Sequence, residues 1–360
     1  MHQKKFNPTA TVLLRRRTLL ALGMSAAAVM PSALAFTEAI KATNQIRVAV
    51  AGKDCFMFRH LPLKIAQQLQ FFASEGVTVA LQSHLSDAEA LQAMHDGRAD
   101  LCAVDFEQLL RAPRFMAAGA RCFVLQARAP QAALGVSLRQ LPHFRSLTDL
   151  KQGSAVGVCA LGSIAHTVAN LALEQAGMAP GSVSFAAVGE GASAVTALRS
   201  GRVQALCHGD PLMTRLEQQG DVRIVSETRT LSGTQALFGS MVPGSCLVAP
   251  ATMLSKRAPA VQAVAHGVVH ALKWLQTASP ADMVKVLPRA RPGAEHSVTL
   301  AAFARVRETF SPDGHMPANA PAAALRALQA THPFAGANLK VPEEAVLHAF
   351  ARKAKLKFSA

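Results

Sequence analysis

The chain has 360 residues, half of them hydrophobic, and a formal net charge of +15. The length suits two domains of about 150 residues each, and the hydrophobic fraction is sufficient for real cores. The positive charge is scattered and the chain has one Trp and no Tyr, so the composition argues against a nucleic-acid-binding protein.

The first 35 residues predict a signal peptide. A basic stretch at 4–17 precedes an apolar run at 18–30, and Ala33-Leu34-Ala35 is typical of a signal peptidase site. The apolar run is too short to span a bilayer. The Arg16-Arg17 pair favours a twin-arginine signal, while a Sec signal stays open. Removing 1–35 lowers the formal charge to +10, and we expect a soluble periplasmic protein.

The mature chain begins with alternating strands and helices. The pattern predicts a strand over 45–51, a helix over 62–74 that ends before Gly76, and a strand over 77–82. A capping box from Ser86 to Glu89 opens the next helix, which ends at Gly97, and a strand over 100–104 follows.

A second series of elements repeats this order. We expect a strand over 155–159, a helix capped by Ser163 and ended by Gly177, a strand over 183–188, a helix ending at Gly201, and a strand over 203–207. Residues 97–105 resemble 201–210 with one residue inserted. We interpret this echo as a structural repeat.

Alternating strands and helices predict an α/β fold with open, mostly parallel sheets. Two such lobes would face each other across a ligand cleft, and solutes on such sheets bind beyond the carboxyl ends of the strands. Residues 226–247 are rich in Gly, Ser and Thr and predict the return crossover. We therefore assign 36–130 and 240–360 to lobe 1 and 131–239 to lobe 2, in a monomer. Further helices are expected over 259–278 and, as a basic tail, over 347–357.

The sequence gives no signal for a cofactor or a metal. The six cysteines lie mostly in apolar runs, which favours buried free thiols over disulfides, although an exported protein can form disulfides. There is no CxxC or HExxH spacing, and Gly189-Glu190-Gly191 lacks the third glycine of a dinucleotide-binding loop.

Several segments in this order are similar to one known family. Residues 46–50, 61–63, 72–79, 89–100 and 188–213 resemble the nitrate, sulfonate, taurine and thiamine-precursor group of periplasmic binding proteins. The resemblance covers roughly 45–290. It implies a type II periplasmic binding-protein fold, a small-molecule solute, a partner ABC permease with its ATPase, and no catalysis.

The same resemblance implies three ligand-binding loops, which carry Lys53 and Phe56, Ser86 and Asp87, and Gly162 and Ser163. Two departures from the family pattern matter. His84 and Leu85 stand where a glycine pair is usual, and Ile164 and Ala165 replace further hydroxyls. Fewer hydroxyl donors weaken the case for a sulfonate or nitrate ligand.

The residues themselves add four candidates, which are Phe106, His166, Glu190 and Asp210. Phe106 could form an apolar floor, and His166 could donate a hydrogen bond from a helix start. Glu190 and Asp210 lie in loops that would favour an amine, amidine or aminopyrimidine over an anion. Each of these four residues also has a purely structural interpretation. Likewise, Lys53 could be an ordinary solvated side chain, and Ser163 could serve only as a helix cap.

Two other functions stay open on the sequence alone. A periplasmic enzyme on the same fold, such as a lyase or a relative of pyrimidine-precursor enzymes, could use Glu190 with His166 or His208 as an acid–base pair. A sensor subunit would bind solute and dock on a receptor. We expect a binding protein rather than an enzyme.

Overall fold

The computed structural model describes residues 44–52, 58–150, 152–287, 296–331 and 340–359. The predicted signal peptide, Cys55, and the predicted ligand residues Lys53 and Phe56 lie outside these ranges. Within them, no helix is both long enough and apolar enough to cross a membrane.

The first part of the chain alternates strands and helices as predicted. Its strands are β1 (Gln45–Ala51), β2 (Thr78–His84), β3 (Leu101–Asp105) and β4 (Arg121–Leu125), and its helices are α1 (Leu61–Gln68), α2 (Phe71–Ser74), α3 (Asp87–His95), α4 (Phe106–Arg111) and α5 (Pro113–Ala117). The predicted bounds of β1 are confirmed. The single helix predicted over 62–74 is wrong, because Gln70 adopts a left-handed conformation with φ 58° and separates α1 from α2.

The second part follows the same alternation. Its strands are β5 (Ala132–Ser137), β6 (Ala155–Val158), β7 (Ser184–Ala187), β8 (Ala205–Gly209) and β9 (Val222–Glu227), and its helices are α6 (Ile164–Gln175), α7 (Ala192–Arg199), α8 (Leu212–Gln218) and α9 (Leu231–Phe238). The return crossover predicted over 226–247 includes the end of β9 and all of α9. Thr230 caps α9 by accepting a hydrogen bond from the Gly233 N–H at 3.0 Å.

The remaining elements return to the first sheet and then become helical. They are β10 (Ser245–Ala249), α10 (Ala251–Lys256), α11 (Ala258–Thr277), α12 (Pro280–Val286), α13 (His296–Val306), α14 (Ala320–Thr331) and α15 (His348–Phe358). The helices predicted over 259–278 and 347–357 are confirmed within one residue at each end.

The two sheets share one topology. The first has the order β2-β1-β3-β10-β4 and the second has the order β7-β6-β8-β5-β9. In each, three parallel strands are followed by an antiparallel strand that arrives from the other half of the chain. The matching order confirms the structural repeat and the two-lobed α/β architecture.

Each lobe has its own hydrophobic core on both faces of its sheet. Four cysteines contribute to these cores as buried free thiols, which are Cys102, Cys122, Cys207 and Cys246. The prediction of buried thiols is confirmed for these four, whereas Cys159 is free and only half-buried as a whole residue. Because β3 and β8 are buried along their whole length, the residues at their carboxyl ends have fixed positions.

The contact between α11 and α2 gives a first test of the packing. A Cβ atom placed on Gly267 in α11 would lie 2.4 Å from Cδ1 of Phe72, so a side chain there must displace a buried ring. We expect Gly267→Leu to lower the free energy of unfolding by about 1–3 kcal/mol, measured by urea denaturation. Thr277→Leu, at an exposed position of the same helix, is the control. Equal stability of the two variants would contradict the packing described here.

Candidate functional site

Two adjoining cavities lie where the carboxyl ends of the strands of both lobes meet. Both cavities are open to solvent. Arg59 from the first lobe and Cys159 and Ser163 from the second line both cavities. The position agrees with the rule that open α/β sheets bind ligands beyond the carboxyl ends of their strands.

A buried arginine organises the first-lobe side of the cleft. The Arg59 guanidinium donates from Nη1 and Nη2 to both oxygens of Asp87, at 2.8 and 2.9 Å, and Nη1 also donates to Asp105 Oδ2 at 2.6 Å. Arg59 is 8% exposed, and both carboxylates are buried. Although burial disfavours the charged guanidinium, the two carboxylates raise the pKa of Arg59 well above its ordinary value. The guanidinium therefore stays charged, and three of the four N–H groups on its terminal nitrogens are already engaged.

Asp105 stands at the end of β3 in an electrostatically strained position. Burial raises the pKa of its carboxyl group to about 7; Arg59 opposes the shift, whereas Asp87 and Glu107 reinforce it. Its Oδ1 atom is buried and has no hydrogen-bond partner within the described ranges. Because a buried acceptor is normally satisfied, this oxygen is a candidate contact for a donor group of a bound molecule.

The Gly162-Ser163 turn does not form the helix cap that the sequence predicted. Ser163 precedes α6, yet its hydroxyl makes no capping hydrogen bond, and the His166 N–H bonds instead to the Ser163 carbonyl oxygen at 2.9 Å. The Gly162 N–H donates to Nδ1 of His166 at 3.1 Å. Ser163 lines both cavities, and its side chain lies beside the thiol of Cys159.

Glu190 closes the cleft from the second lobe. The Ser193 hydroxyl shares its one hydrogen between the carbonyl oxygens of Val188 and Glu190, at 2.8 and 2.9 Å, and so fixes the turn that carries Glu190. The Glu190 carboxylate approaches Gly52 of the first lobe so closely that a Cβ atom there would lie 2.7 Å from Oε2. Gly52 has φ 111°, which is also a conformation that favours glycine.

Hydrogen bonds between the lobes hold the cleft closed. Glu107 on α4 accepts from Arg111 on the same helix at 2.6 Å and from Thr167 on α6 at 2.8 Å, and Arg111 also donates to Thr167 at 2.9 Å. Gln108 Nε2 donates to the Gly162 carbonyl oxygen at 2.7 Å. These bonds join residues of the first lobe to the turn and helix that carry Ser163.

The structure brings most of the predicted ligand residues that it describes to the two cavities. The predicted residues among the lining are Ser86, Asp87, Gly162, Ser163, Glu190 and Asp210. The Asp210 carboxylate nevertheless already has hydrogen-bond partners in its own lobe. Its Oδ1 atom accepts from the backbone N–H and the hydroxyl of Thr214 at 2.9 and 2.8 Å. Burial raises the pKa of Asp210, and the nearby Arg229 opposes this shift.

Phe106 and His166 are not among the lining residues of either cavity. Phe106 is fully buried in the core of the first lobe. His166 supports the Gly162 turn and stands 4.2 Å from the ring of Phe185, centre to centre. The structure thus gives both residues supporting positions next to the cleft.

Sequence reasoning missed Arg59, Gln131 and Cys159 as lining residues and left Asp105 out of the predicted set. A single arginine in a loop has no motif. The available signal was indirect, since Asp87 and Asp105 both follow the carboxyl edge of one sheet and two buried carboxylates require a cation. Within the described ranges, no group of three or more His, Cys, Asp or Glu side chains could hold a metal ion.

The raised pKa of Asp105 predicts a pH dependence of stability. A carboxyl group whose folded pKa exceeds its unfolded value stabilises the fold fully below the unfolded pKa, and this contribution is lost as the pH rises through the folded pKa. The free energy of unfolding of Asp105→Asn minus that of the wild-type protein should therefore rise by about 2–3 kcal/mol from pH 5 to pH 8.

The free energies of unfolding of the two proteins must be compared at each pH, because other groups titrate in the same pH range. His60 and His208 are buried, and burial lowers the pKa of each, so their contribution is lost as the pH falls and opposes that of Asp105. Urea denaturation at several pH values measures the difference. The control Asp96→Asn, at an exposed carboxylate, should show no such trend, and a constant offset for Asp105→Asn would contradict the assignment.

Comparisons with known proteins agree with this architecture. The model of the NMT1-like family matches residues 55–287. A solved structure from Bordetella bronchiseptica RB50 is 36% identical, with a TM-score of 0.80 over 88% of this chain and 98% of that chain. A sequence comparison with curated proteins finds no match.

Two more distant structures share the fold. The ligand-binding component of an ABC-type import system from Staphylococcus aureus, with zinc bound, is 12% identical, with a TM-score of 0.68 over 86% of this chain and 99% of that chain. The alkanesulfonate-binding protein SsuA from Xanthomonas axonopodis pv. citri, bound to MOPS, is 20% identical, with a TM-score of 0.59 over 85% and 99%. Because the family model matches more than half of its residues, this two-lobed chain of the periplasmic binding-protein fold belongs to the NMT1-like family.

Proposed function

We propose that this protein is an exported solute-binding protein that delivers a small organic solute to an ABC importer, and that the solute is an amine, an amidine or a pyrimidine rather than a sulfonate or nitrate. The observation that carries the proposal is a closed cleft between two α/β lobes whose polar lining is rich in acidic acceptors. The partners would be the permease and its ATPase. The lobes would be 36–130 with 240–360, and 131–239, in a monomeric periplasmic protein.

The charge of the lining distinguishes between the ligand classes. Among the described lining residues, the carboxylates are Asp87, Asp105, Glu190 and Asp210, and Arg59 is the one cation. The two terminal nitrogens of Arg59 already bond to Asp87 and Asp105. A sulfonate or nitrate would therefore be desolvated beside carboxylates that already take three of the five N–H donors of this cation, which is unfavourable. A nitrogen cation or an aminopyrimidine offers N–H donors to these carboxylates.

The uncommitted polar atoms support the same ligand class. Asp105 Oδ1 is a buried acceptor, and Arg59 Nε is a buried donor, and neither has a hydrogen-bond partner within the described ranges. Both residues line the first cavity. A solute with an N–H donor next to an acceptor atom would satisfy both, as an aminopyrimidine does. Hydrogen bonds to charged groups are stronger than neutral ones.

The family membership and the related structures support solute binding as the general function. The structures described above as a ligand-binding component of an import system and as an alkanesulfonate-binding protein share only the fold, so they do not select a ligand for this chain. The absence of further hydroxyls after Ser163, where Ile164 and Ala165 follow, also separates this cleft from one designed for an oxyanion.

The enzyme alternative requires an acid–base pair around Glu190, and the geometry does not favour it. His166 uses Nδ1 to accept from the Gly162 N–H. His208 is buried within β8, where its Nδ1 accepts from the Gly209 N–H at 2.9 Å and burial lowers its pKa. Neither histidine is among the described lining residues of the two cavities.

Native mass spectrometry of the protein purified from its own periplasm tests the general function. We expect a stoichiometric nitrogen-containing solute that is released unchanged on denaturation. Conversion of an added candidate solute to a product of different mass would instead establish an enzyme. A co-purified sulfonate would contradict the ligand class while leaving solute binding intact.

Titration calorimetry tests the role of Glu190. We expect acetamidinium to bind and methanesulfonate and nitrate not to bind. Because a charged hydrogen-bond acceptor contributes about 1.5–3 kcal/mol, Glu190→Gln should weaken acetamidinium binding roughly 10- to 100-fold. Glu174→Gln, at an exposed position near the far end of α6, should bind as the wild-type protein does. Tighter binding of methanesulfonate than of acetamidinium would refute the charge argument.

A further inference from the structure

Gln131 occupies an unusual position between the lobes. It lies between β4 and β5, where the chain first crosses from one lobe to the other, and it is 3% exposed. Its backbone adopts the left-handed conformation with φ 57°, which is uncommon for a residue other than glycine and clusters at functional sites. Gln131 lines the first cavity together with Asp105 and Ser163.

The orientation of the Gln131 carboxamide follows from its neighbours. The Thr309 hydroxyl donates its single hydrogen to the carbonyl oxygen of Val306. Thr309 Oγ1 can therefore act only as an acceptor toward Gln131, whose Nε2 donates to it at 2.8 Å. The NH₂ group of the carboxamide must face Thr309, and the oxygen must face away from it.

The carboxamide oxygen is left as a buried acceptor. Gln131 Oε1 has no hydrogen-bond partner within the described ranges, and Asp105 Oδ1, in the same cavity, has none either. Buried oxygens are seldom left unsatisfied because the loss of hydration is costly. Two such acceptors beside one cavity are complementary to a molecule that presents hydrogen-bond donors to both.

Thr309 is itself held firmly by the segment that crosses between the lobes. The Arg128 N–H donates to the Thr309 carbonyl oxygen at 2.8 Å, and the Ser311 N–H donates to the Gln126 carbonyl oxygen at 2.9 Å. The Arg128 guanidinium also donates to the carbonyl oxygen of Glu308. The anchor that orients Gln131 is therefore part of the connection between lobes and not a mobile surface group.

We propose that Gln131 is a specificity-determining ligand residue: its carboxamide oxygen accepts a hydrogen bond from an N–H or O–H group of the bound solute, and Thr309 positions it for that contact. The proposal rests on the solute-binding function proposed above and deepens it. The residue adds a neutral, directional acceptor to the acidic lining of the cleft.

Three variants separate ligand contact from a structural role, with acetamidinium as the probe in titration calorimetry. Gln131→Met removes the acceptor and should weaken binding roughly 5- to 100-fold. Gln131→Glu keeps an oxygen acceptor but loses the N–H donor to Thr309, and it should bind more tightly than Gln131→Met. Thr309→Val should weaken binding several-fold in the wild-type background and have no effect in the Gln131→Met background, since its role is to position Gln131.

The matched control is Thr277→Val, which removes another hydroxyl that bonds within its own helix turn, and it should leave acetamidinium binding unchanged. Thermal unfolding by circular dichroism verifies that all variants are folded. Equal binding by folded Gln131→Met and wild-type protein would overturn the proposal, and so would equal losses for Gln131→Met and Gln131→Glu.

A second measurement tests the orientation without any ligand. In NMR spectra of the wild-type protein, the side-chain amide protons of Gln131, assigned by their loss in Gln131→Glu, should show a nuclear Overhauser effect to the Thr309 methyl group. Its absence would overturn the proposal. If this contact is present and the wild-type protein binds no probe, the failure lies in the proposed function.

Discussion

The interaction on which the cleft depends is the buried ion pair of Arg59 with Asp87 and Asp105. Two carboxylates at the edge of one sheet would repel each other and resist burial if no cation lay between them. The guanidinium satisfies three of their four oxygens and leaves the fourth, Asp105 Oδ1, without a partner within the described ranges. The same interaction thus makes the burial of the two acids tolerable and sets the polarity of the cavity.

The second lobe also pairs a buried acid with a buried arginine, but the acid there has different partners. Asp210 follows β8 as Asp105 ends β3, and fully buried Arg229 approaches Asp210 at 3.4 Å. However, both Thr214 donors and Arg229 face Asp210, and Arg229 also pairs with Glu227. The Asp210 carboxylate is thus engaged by donors of its own lobe. The repeat therefore produces two buried acids, of which only Asp105 has an oxygen without a hydrogen-bond partner in the part of the chain that the structure describes.

The sequence predicted the repeat because it depends on short-range patterns. Alternating apolar segments and glycines at helix ends located β1, α3, α6, α7 and α11 to within a residue or two. The failures depend on contacts that are distant in sequence. Gln70 adopts a left-handed conformation that no neighbouring residue predicts. Ser163 does not cap α6, and the turn before this helix is held by the hydrogen bond from the Gly162 N–H to His166 Nδ1. Arg59 and Asp105 are 46 positions apart in the sequence, so no local pattern predicts their contact.

A cleft whose specificity came from charge alone would discriminate poorly. Carboxylates attract any cation, and the attraction changes slowly with distance and direction, whereas an oriented hydrogen bond rejects a solute that lacks the matching donor because a buried acceptor is then left unpaired. In this cleft the acids would select the sign of the charge. A carboxamide fixed by Thr309, which is tied to the crossover between the lobes, would select the donor pattern. Because Gln131 lies on that crossover, loss of its anchor should affect recognition without altering the charge of the cavity.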